Sequence, residues 1–431
     1  MTKAVDVVPV STDPVEGKAR TRGGRFEFLD ALRGIAASAV VIEHCSSELW
    51  PAYARFSIGY FDSGVFGVFV FFIASGFIIP ASMERGRSLG AFWVGRFFRL
   101  YPLFWVCLIA AVFLHIAGMY GGPPGFLQEP ALDLATNATM AHYFIGGSDS
   151  QMLVVAWTLA FELAFYAFVS LLFIGGCNRR SVPVALFAIG SIPLAGVLLP
   201  VAMLSGGEAN LRTRLIVVGV TVVVAAFFAW RAATKRAAAA AVLISAIVVP
   251  LVLNQPVPSA YAVTIFATMF VGTVLYRMTA GETSAWLGWG VFGLAVCLIA
   301  GLELLGSPLL RRTGDALPDV TVNIPVIGAY LVFAGALLLL RRSFPRPLLF
   351  LGRISFSLYL VHGFVINAVP KWPTSLIGSP APWLTWCTWI IISIALATLS
   401  YNKIEKPALA LGHRVMAKMD ARARPAASPV G

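Results

Sequence analysis

FLDALRGIAASAVVIEHCSSELW, residues 28–50, decides how this chain is read. It has the length and apolarity of a bilayer-spanning helix, yet Arg33 and His44 sit inside it. They stand eleven residues apart. At about 100° per residue that spacing falls about 20° from three full turns, so both point from one face, roughly 16 Å apart along the axis. On a lipid-facing helix the arginine would cost about 2.5–3.5 kcal/mol near the bilayer centre and less near an end. The shared face is therefore expected to look into a protein interior or a hydrated cavity. Taken singly, the two residues also allow a plainer reading: a snorkelling Arg33 and a hydrogen-bonded structural His44.

Composition extends the membrane reading to the whole chain. By length alone, 431 residues would hold two or three soluble domains. With 58% apolar and 12% charged residues, the expectation is instead an all-α, polytopic transmembrane bundle of about 10–12 spans. Residues 25–410 would form that one domain, between a disordered tail at 1–24 and a basic tail at 411–431. Beside the first helix, apolar segments fall near 64–82, 100–119, 153–174, 182–204, 213–231, 237–254, 259–277, 285–305, 320–340, 353–370 and 383–404. Five scattered cysteines show no paired spacing, so no disulfide framework and no metal site are expected.

The net charge of +12 would suggest nucleic acid in a soluble protein. Here its placement explains it. With the N-terminus inside, the cytoplasmic side receives both tails and Arg85, Arg87, Arg96, Arg99, Arg179, Arg180, Arg231, Lys235, Arg236, Arg277, Arg341, Arg342, Arg346 and Arg353. The outer side receives only Arg55, Arg212, Arg214, Arg311, Arg312 and Lys371. The positive-inside rule then puts both termini in the cytoplasm, with the lipid bilayer as partner and no nucleic acid. The outer connection 121–152 lacks Lys and Arg. Its part from Ala131 to Ile145 is read as a short helix lying on the membrane or folding back into it, a lid or binding element.

Three more places put polar groups at membrane depth. In VVAWTLAFELAFY, Thr158, Glu162 and Tyr166 share a helical face, with Trp157 beside it. In LGRISFSLYLVH, Ser355, Tyr359 and His362 do the same. RFFRLYP sets Arg96 and Arg99 at i, i+3, in a loop at the start of a helix that Pro102 permits in its first turn. Two guanidiniums so placed are positive-inside anchors or a bidentate site for phosphates.

Together these stretches bring a family into view. FLDALRGIAASAVVIEH (Arg33 and His44), GVFGVFVFFIASGF, RFFRLYP, WTLAFELAFY, LGRISFSLYLVH and the Tyr401…Ile404-Glu405-x-Pro407 ending follow one another in order. The chain thus resembles the acyltransferase-3 family, integral membrane acyl-CoA-dependent O-acyltransferases that modify bacterial sugars and antibiotics. It departs from the family at Phe69, where many members are polar, and at Phe356, where Tyr is usual. The family domain also typically has ten spans.

The resemblance implies a multi-pass enzyme of the bacterial cytoplasmic membrane. It would move an acetyl or other short acyl group from cytosolic acyl-CoA to a hydroxyl of a sugar-containing acceptor, with no metal. Arg33 and His44 would be the essential pair, His44 the base, and Arg96 and Arg99 the donor contacts, with a share for Arg33. Glu162 would orient His44 or hold the acceptor. Trp157, Tyr166, Ser355, Tyr359 and His362 are the candidates for the acceptor or the oxyanion. The rival reading is a secondary transporter using the same buried groups for proton coupling.

Overall fold

In a computed structural model the described residues are 27–85, 88–122, 126, 128–145, 151–206, 209–305, 312–314, 317–320, 323–339 and 343–423. The expected N-terminal tail lies outside them. The first half of the chain gives α1 (Glu27–Leu49), α2 (Pro51–Gly59), α3 (Ser63–Arg85), α4 (Leu89–Ile116), the short α5 (Pro130–Ala138) and α6 (His142–Ile145), then α7 (Trp157–Ile174), α8 (Ser181–Leu198), α9 (Leu211–Arg231) and α10 (Lys235–Leu253). The second half adds α11 (Ser259–Thr279), α12 (Ala285–Leu304), α13 (Asn323–Leu338), α14 (Arg346–Arg353), α15 (Ser355–Ala368), the short α16 (Thr374–Ile377), α17 (Ala381–Ser400) and α18 (Lys406–Ala423). The one ladder among the described residues is a short antiparallel pairing of 312–314 with 317–320.

Every apolar segment read from the sequence is a helix, but fewer than twelve qualify as spans. Among the described residues nine helices are long and apolar enough to cross a membrane, or ten when α14 and α15, bent by 74° at Ile354, count as one. Two segments fall out for different reasons. α13 is short, its apolar part running only Ile324–Leu338. α1, 23 residues long, carries Glu27, Asp30, Arg33, Glu43 and Glu48 along an otherwise apolar run, more charge than a tally by apolar length admits. It packs against α3, α14, α15 and α17 near the middle of the bundle. The least certain stretch of the sequence, 205–258, yields α9 and α10, which pack mainly on each other with most of their surface exposed. They form a peripheral hairpin.

The RFFRLYP stretch is not a loop. Ser88 caps α4, its hydroxyl accepting the Ala91 amide at 3.1 Å, so the helix begins two turns before Arg96. Pro102 therefore sits in the interior of α4, not in a first turn. The two arginines are consequently fixed on a helix face and aimed by its packing. At the other end of the chain, residues 411–423 continue α18 and pack along α4. In the long connection, α5 folds back beside α4: Trp105 Nε1 donates to the Ala138 carbonyl at 2.9 Å and the Tyr101 hydroxyl to Thr139 at 3.3 Å. Tyr101 lies fifteen residues from the end of α4, about 22 Å at the α-helical rise.

Close helix crossings at glycine hold the centre together. A Cβ on Gly76 of α3 would run into the Met269 carbonyl of α11, and one on Gly352 of α14 into the Asp30 carbonyl of α1. Only a residue without a side chain lets these backbones approach so closely. Thr273 Oγ1 uses the approach to donate to the Gly76 carbonyl at 2.9 Å. Gly76→Ala is expected to destabilise the fold by about 1–3 kcal/mol or more, the cost of forcing extra volume into a packed core. Thermal unfolding in detergent measures it, with Gly90→Ala, which meets only the flexible end of Met419, as the mild control.

His142, in the connection and fully buried, has its pKa pushed down to about 4 by burial. It is neutral when folded, whereas an ordinary histidine takes a proton near 6.5. Its depressed value means that the segment's stability, complete above about pH 6.5, falls as pH drops toward 4. Proteolytic nicking of 128–145 should therefore rise between those values, and His142→Phe should remove the dependence.

Candidate active site

A cavity of about 410 Å³ opens among α1, α3, α4, α7, α14, α15 and the end of the chain, within the size range of small-molecule sites. Its polar wall is built from Arg33 of α1, Ser75 of α3, Arg96 and Arg99 of α4, Glu162 and Tyr166 of α7, and Tyr359 of α15. Asp30, Thr158, Arg353, Tyr401 and His413 complete it. A second cavity of about 430 Å³, between α4 and α18, shares Arg96, Arg99, Leu409 and His413 with the first. The two adjoin at these residues, which form a basic neck between them.

Four of the charged groups on the wall, Glu162, Arg33, Arg99 and Arg96, have identifiable partners. Glu162 Oε1 accepts the Ser75 hydroxyl at 3.0 Å and the Tyr166 hydroxyl at 2.5 Å. Arg33 interacts electrostatically with Glu162, Glu405 and Asp30, and against Arg99. Arg99 Nη1 lies 3.3 Å from Glu405 Oε1, while the Ser357 hydroxyl holds Glu405 Oε2 at 2.8 Å. A π-helical turn, Tyr401–Glu405, joins α17 to α18 and carries the buried Glu405; such turns recur at functional sites. Arg96 stacks over the rings of Phe92 and Tyr166, at 5.6 and 5.7 Å, and donates Nη2 to Ser82 at 3.0 Å. Its Nε is buried with no hydrogen-bond partner among the described residues.

Glu405→Ala would leave both Arg99 and Ser357 without their acceptor. Because the Arg99 side chain is 23% exposed, water screens part of the loss, and a cost of about 1–3 kcal/mol is expected. A lowered thermal midpoint in detergent, together with weaker donor binding, measures it.

His44 stands outside the cavity wall. Its Nδ1 lies 2.8 Å from Nε2 of His362, the two rings nearly parallel at 19°. His362 is fully buried and its Nδ1 sits 3.1 Å from the Leu358 carbonyl, whereas His44 is exposed. The pair adjoins the cavity through Tyr359, whose ring centroid is 6.2 Å from that of His362. Tyr359 in turn donates to the Val155 carbonyl and pairs with Thr158, both at 2.8 Å. α1 thus presents Arg33 to the cavity and His44 to α15, at opposite ends of one stripe.

The sequence-derived set therefore divides. Arg33, Arg96, Arg99, Glu162, Tyr166 and Tyr359 share the cavity, and His44 with His362 forms a pair next to it. Trp157 lies off the wall in an aromatic cluster with Phe72, Tyr143 and Phe161. Ser355 is buried at the bend between α14 and α15 and is likewise not on the wall. Glu162, expected either to orient His44 or to hold an acceptor, lines the cavity and is bonded to Ser75 and Tyr166, while His362 lies beside His44. Sequence reasoning gave no role to Ser75, Arg353, Ser357, Glu405 or His413. Ser75, Arg353, Ser357 and Glu405 all lay inside the quoted motifs, and that was the available signal. At the two departures, Phe69 packs edge-on against Phe72 and Tyr261, and Phe356 lies under Arg99.

Comparison with known proteins gives the chain's family. No solved structure matches the chain. "Nodulation protein 10" of Rhizobium leguminosarum bv. viciae is 25% identical over 92% of this chain and 96% of its own length. "Exopolysaccharide production protein ExoZ" of Rhizobium meliloti is 26% identical over 84% of this chain and 96% of its own. "Acyltransferase MdmB" of Streptomyces mycarofaciens is 30% identical, over 33% of this chain and 38% of its own. A family model described as an acyltransferase domain matches residues 26–402, and the chain, a helical bundle with a basic cavity beside a histidine pair, belongs to the acyltransferase-3 family of membrane enzymes.

Proposed function

We propose that the enzyme moves an acetyl or other short acyl group from cytosolic acyl-CoA to a hydroxyl of a sugar-containing acceptor, with His44 as general base. The observation that carries the donor assignment is the pair Arg96 and Arg99 on the walls of both cavities. Arg96 and Arg99, with Arg33 deeper, suit the CoA phosphates, which guanidiniums grip through paired hydrogen bonds. The excess of Lys and Arg on one set of loops supports a neck that opens to the cytosol, in a bacterial cytoplasmic membrane.

Beyond the neck the wall turns apolar at Val68, Phe71, Phe72 and Leu159, room for a short acyl chain. The reaction balances without a metal. His44 takes the proton of the acceptor hydroxyl as its oxygen attacks the thioester carbonyl. The C–S bond breaks, the ester forms, and the thiolate leaves with the proton that His44 returns. A glycan acceptor is supported by ExoZ, whose name ties it to exopolysaccharide production.

Purified protein with acetyl-CoA and candidate glycans tests the reading. Release of CoA thiol that depends on the acceptor supports it. Ion-coupled solute uptake into vesicles without thiol release would favour a transporter instead.

A further inference from the structure

The geometry points to His362 as a positioning residue that decides which nitrogen of His44 is the base. A carbonyl oxygen has no proton to give. His362 Nδ1, 3.1 Å from the Leu358 carbonyl, must therefore carry the hydrogen and donate it. In a neutral imidazole the other nitrogen then holds a lone pair, so Nε2 of His362 is an acceptor. That nitrogen faces His44 Nδ1 at 2.8 Å, and two lone pairs do not meet at that distance. His44 Nδ1 carries the hydrogen, and Nε2 is the basic nitrogen of His44.

The chain of donors thus runs from His44 Nδ1 to His362 Nε2, and from His362 Nδ1 to Leu358. It needs no carboxylate: the bond at the second nitrogen of a catalytic histidine sets its tautomer, and here an imidazole anchored to a backbone carbonyl makes that bond. When His44 Nε2 takes the acceptor proton, the resulting imidazolium still donates through Nδ1 to His362. No proton needs to pass to His362, whose own hydrogen stays on Nδ1, donated to the Leu358 carbonyl. Burial serves the arrangement, because His362 is enclosed on α15 and its ring cannot turn without breaking both bonds.

The catalytic consequence rests on the proposal that His44 is the base, but the tautomer does not. The test is nitrogen NMR of the purified protein with 15N-histidine, of which the chain has five. Loss of one spin system in His44→Gln assigns His44. The expected wild-type spectrum shows His44 protonated at Nδ1. His362→Phe should shift it toward the Nε2–H form, and His362→Gln, whose side-chain carbonyl accepts a hydrogen bond, should keep the Nδ1–H form and confirm that the fold survives substitution. Acyl transfer should fall about 10²-fold or more in kcat in His362→Phe, at little changed KM for the donor, and recover at least about tenfold in His362→Gln. An Nε2–H tautomer in the wild type, or a tautomer indifferent to His362→Phe, overturns the inference. The predicted spectra with unchanged kcat in His362→Phe would leave the tautomer assignment standing and overturn instead the reading of His44 as the base.

Discussion

His44→Ala is expected to lower acyl transfer by about 10²–10⁴-fold, the range that a positioned general base supplies, while leaving donor affinity within a factor of about two. The split follows from geometry. His44 is paired with His362 next to Tyr359, at the far end from the basic neck, and α1 separates it from Arg33 by three turns. Truncating it removes no group that lines the donor cavity. The substitution also leaves the α1 core intact, because the exposed His44 side chain packs far less than Cys45 or Val41 beside it. The buried His362 loses one hydrogen-bond partner, so stability should fall by no more than about 1–3 kcal/mol. An unchanged protein level with that modest shift distinguishes lost chemistry from lost fold. Equal losses in kcat and donor affinity would move His44 from the reacting centre to the binding wall.

The second large effect concerns the neck. Each charge-assisted hydrogen bond is worth about 1.5–3 kcal/mol, so Arg96→Ala should weaken acyl-CoA binding by about 10- to 100-fold. Arg96→Lys should rescue little, because a point charge lacks the planar fork that grips phosphate and stacks over Phe92 and Tyr166. Arg99→Ala should cost less. Its guanidinium is shared with Glu405, and removing it also relieves repulsion against Arg33. A phosphate-free thioester, such as acetyl-pantetheine, makes the decisive control: for that donor, both substitutions should change binding little. Titration calorimetry with the two donors reads the difference directly.

Much of this arrangement was legible in the residues, for a definable reason. A polar side chain in an apolar helix must face protein or water, so Arg33, Glu162, Tyr166 and Tyr359 announced a shared interior by period alone, and all four line one cavity. The same rule made His44 and His362 conspicuous without saying that they touch, since a contact across 318 positions has no local signature. Helix edges were less legible. Pro102 and the two arginines resembled the start of a helix, but the cap at Ser88 lies fourteen residues earlier, and an interior proline leaves no contrary mark in the sequence. Glu405 escaped because its burial depends on a π-helical turn, a one-residue change of phase that no hydrophobic pattern encodes. α1 drops out of a tally by apolar length for a related reason: apolar length is visible, but whether a charged helix is shielded by its neighbours is a property of packing.

The central claim is that the basic cavity and the histidine pair form one site that transfers an acyl group from a thioester to a hydroxyl. Mass spectrometry of surface glycans and secreted metabolites, from cells carrying the wild type or His44→Ala at equal membrane levels, tests it most directly. The account predicts a species heavier by one acyl group in the wild-type cells alone. The same acylated species in both, or in neither, would contradict it.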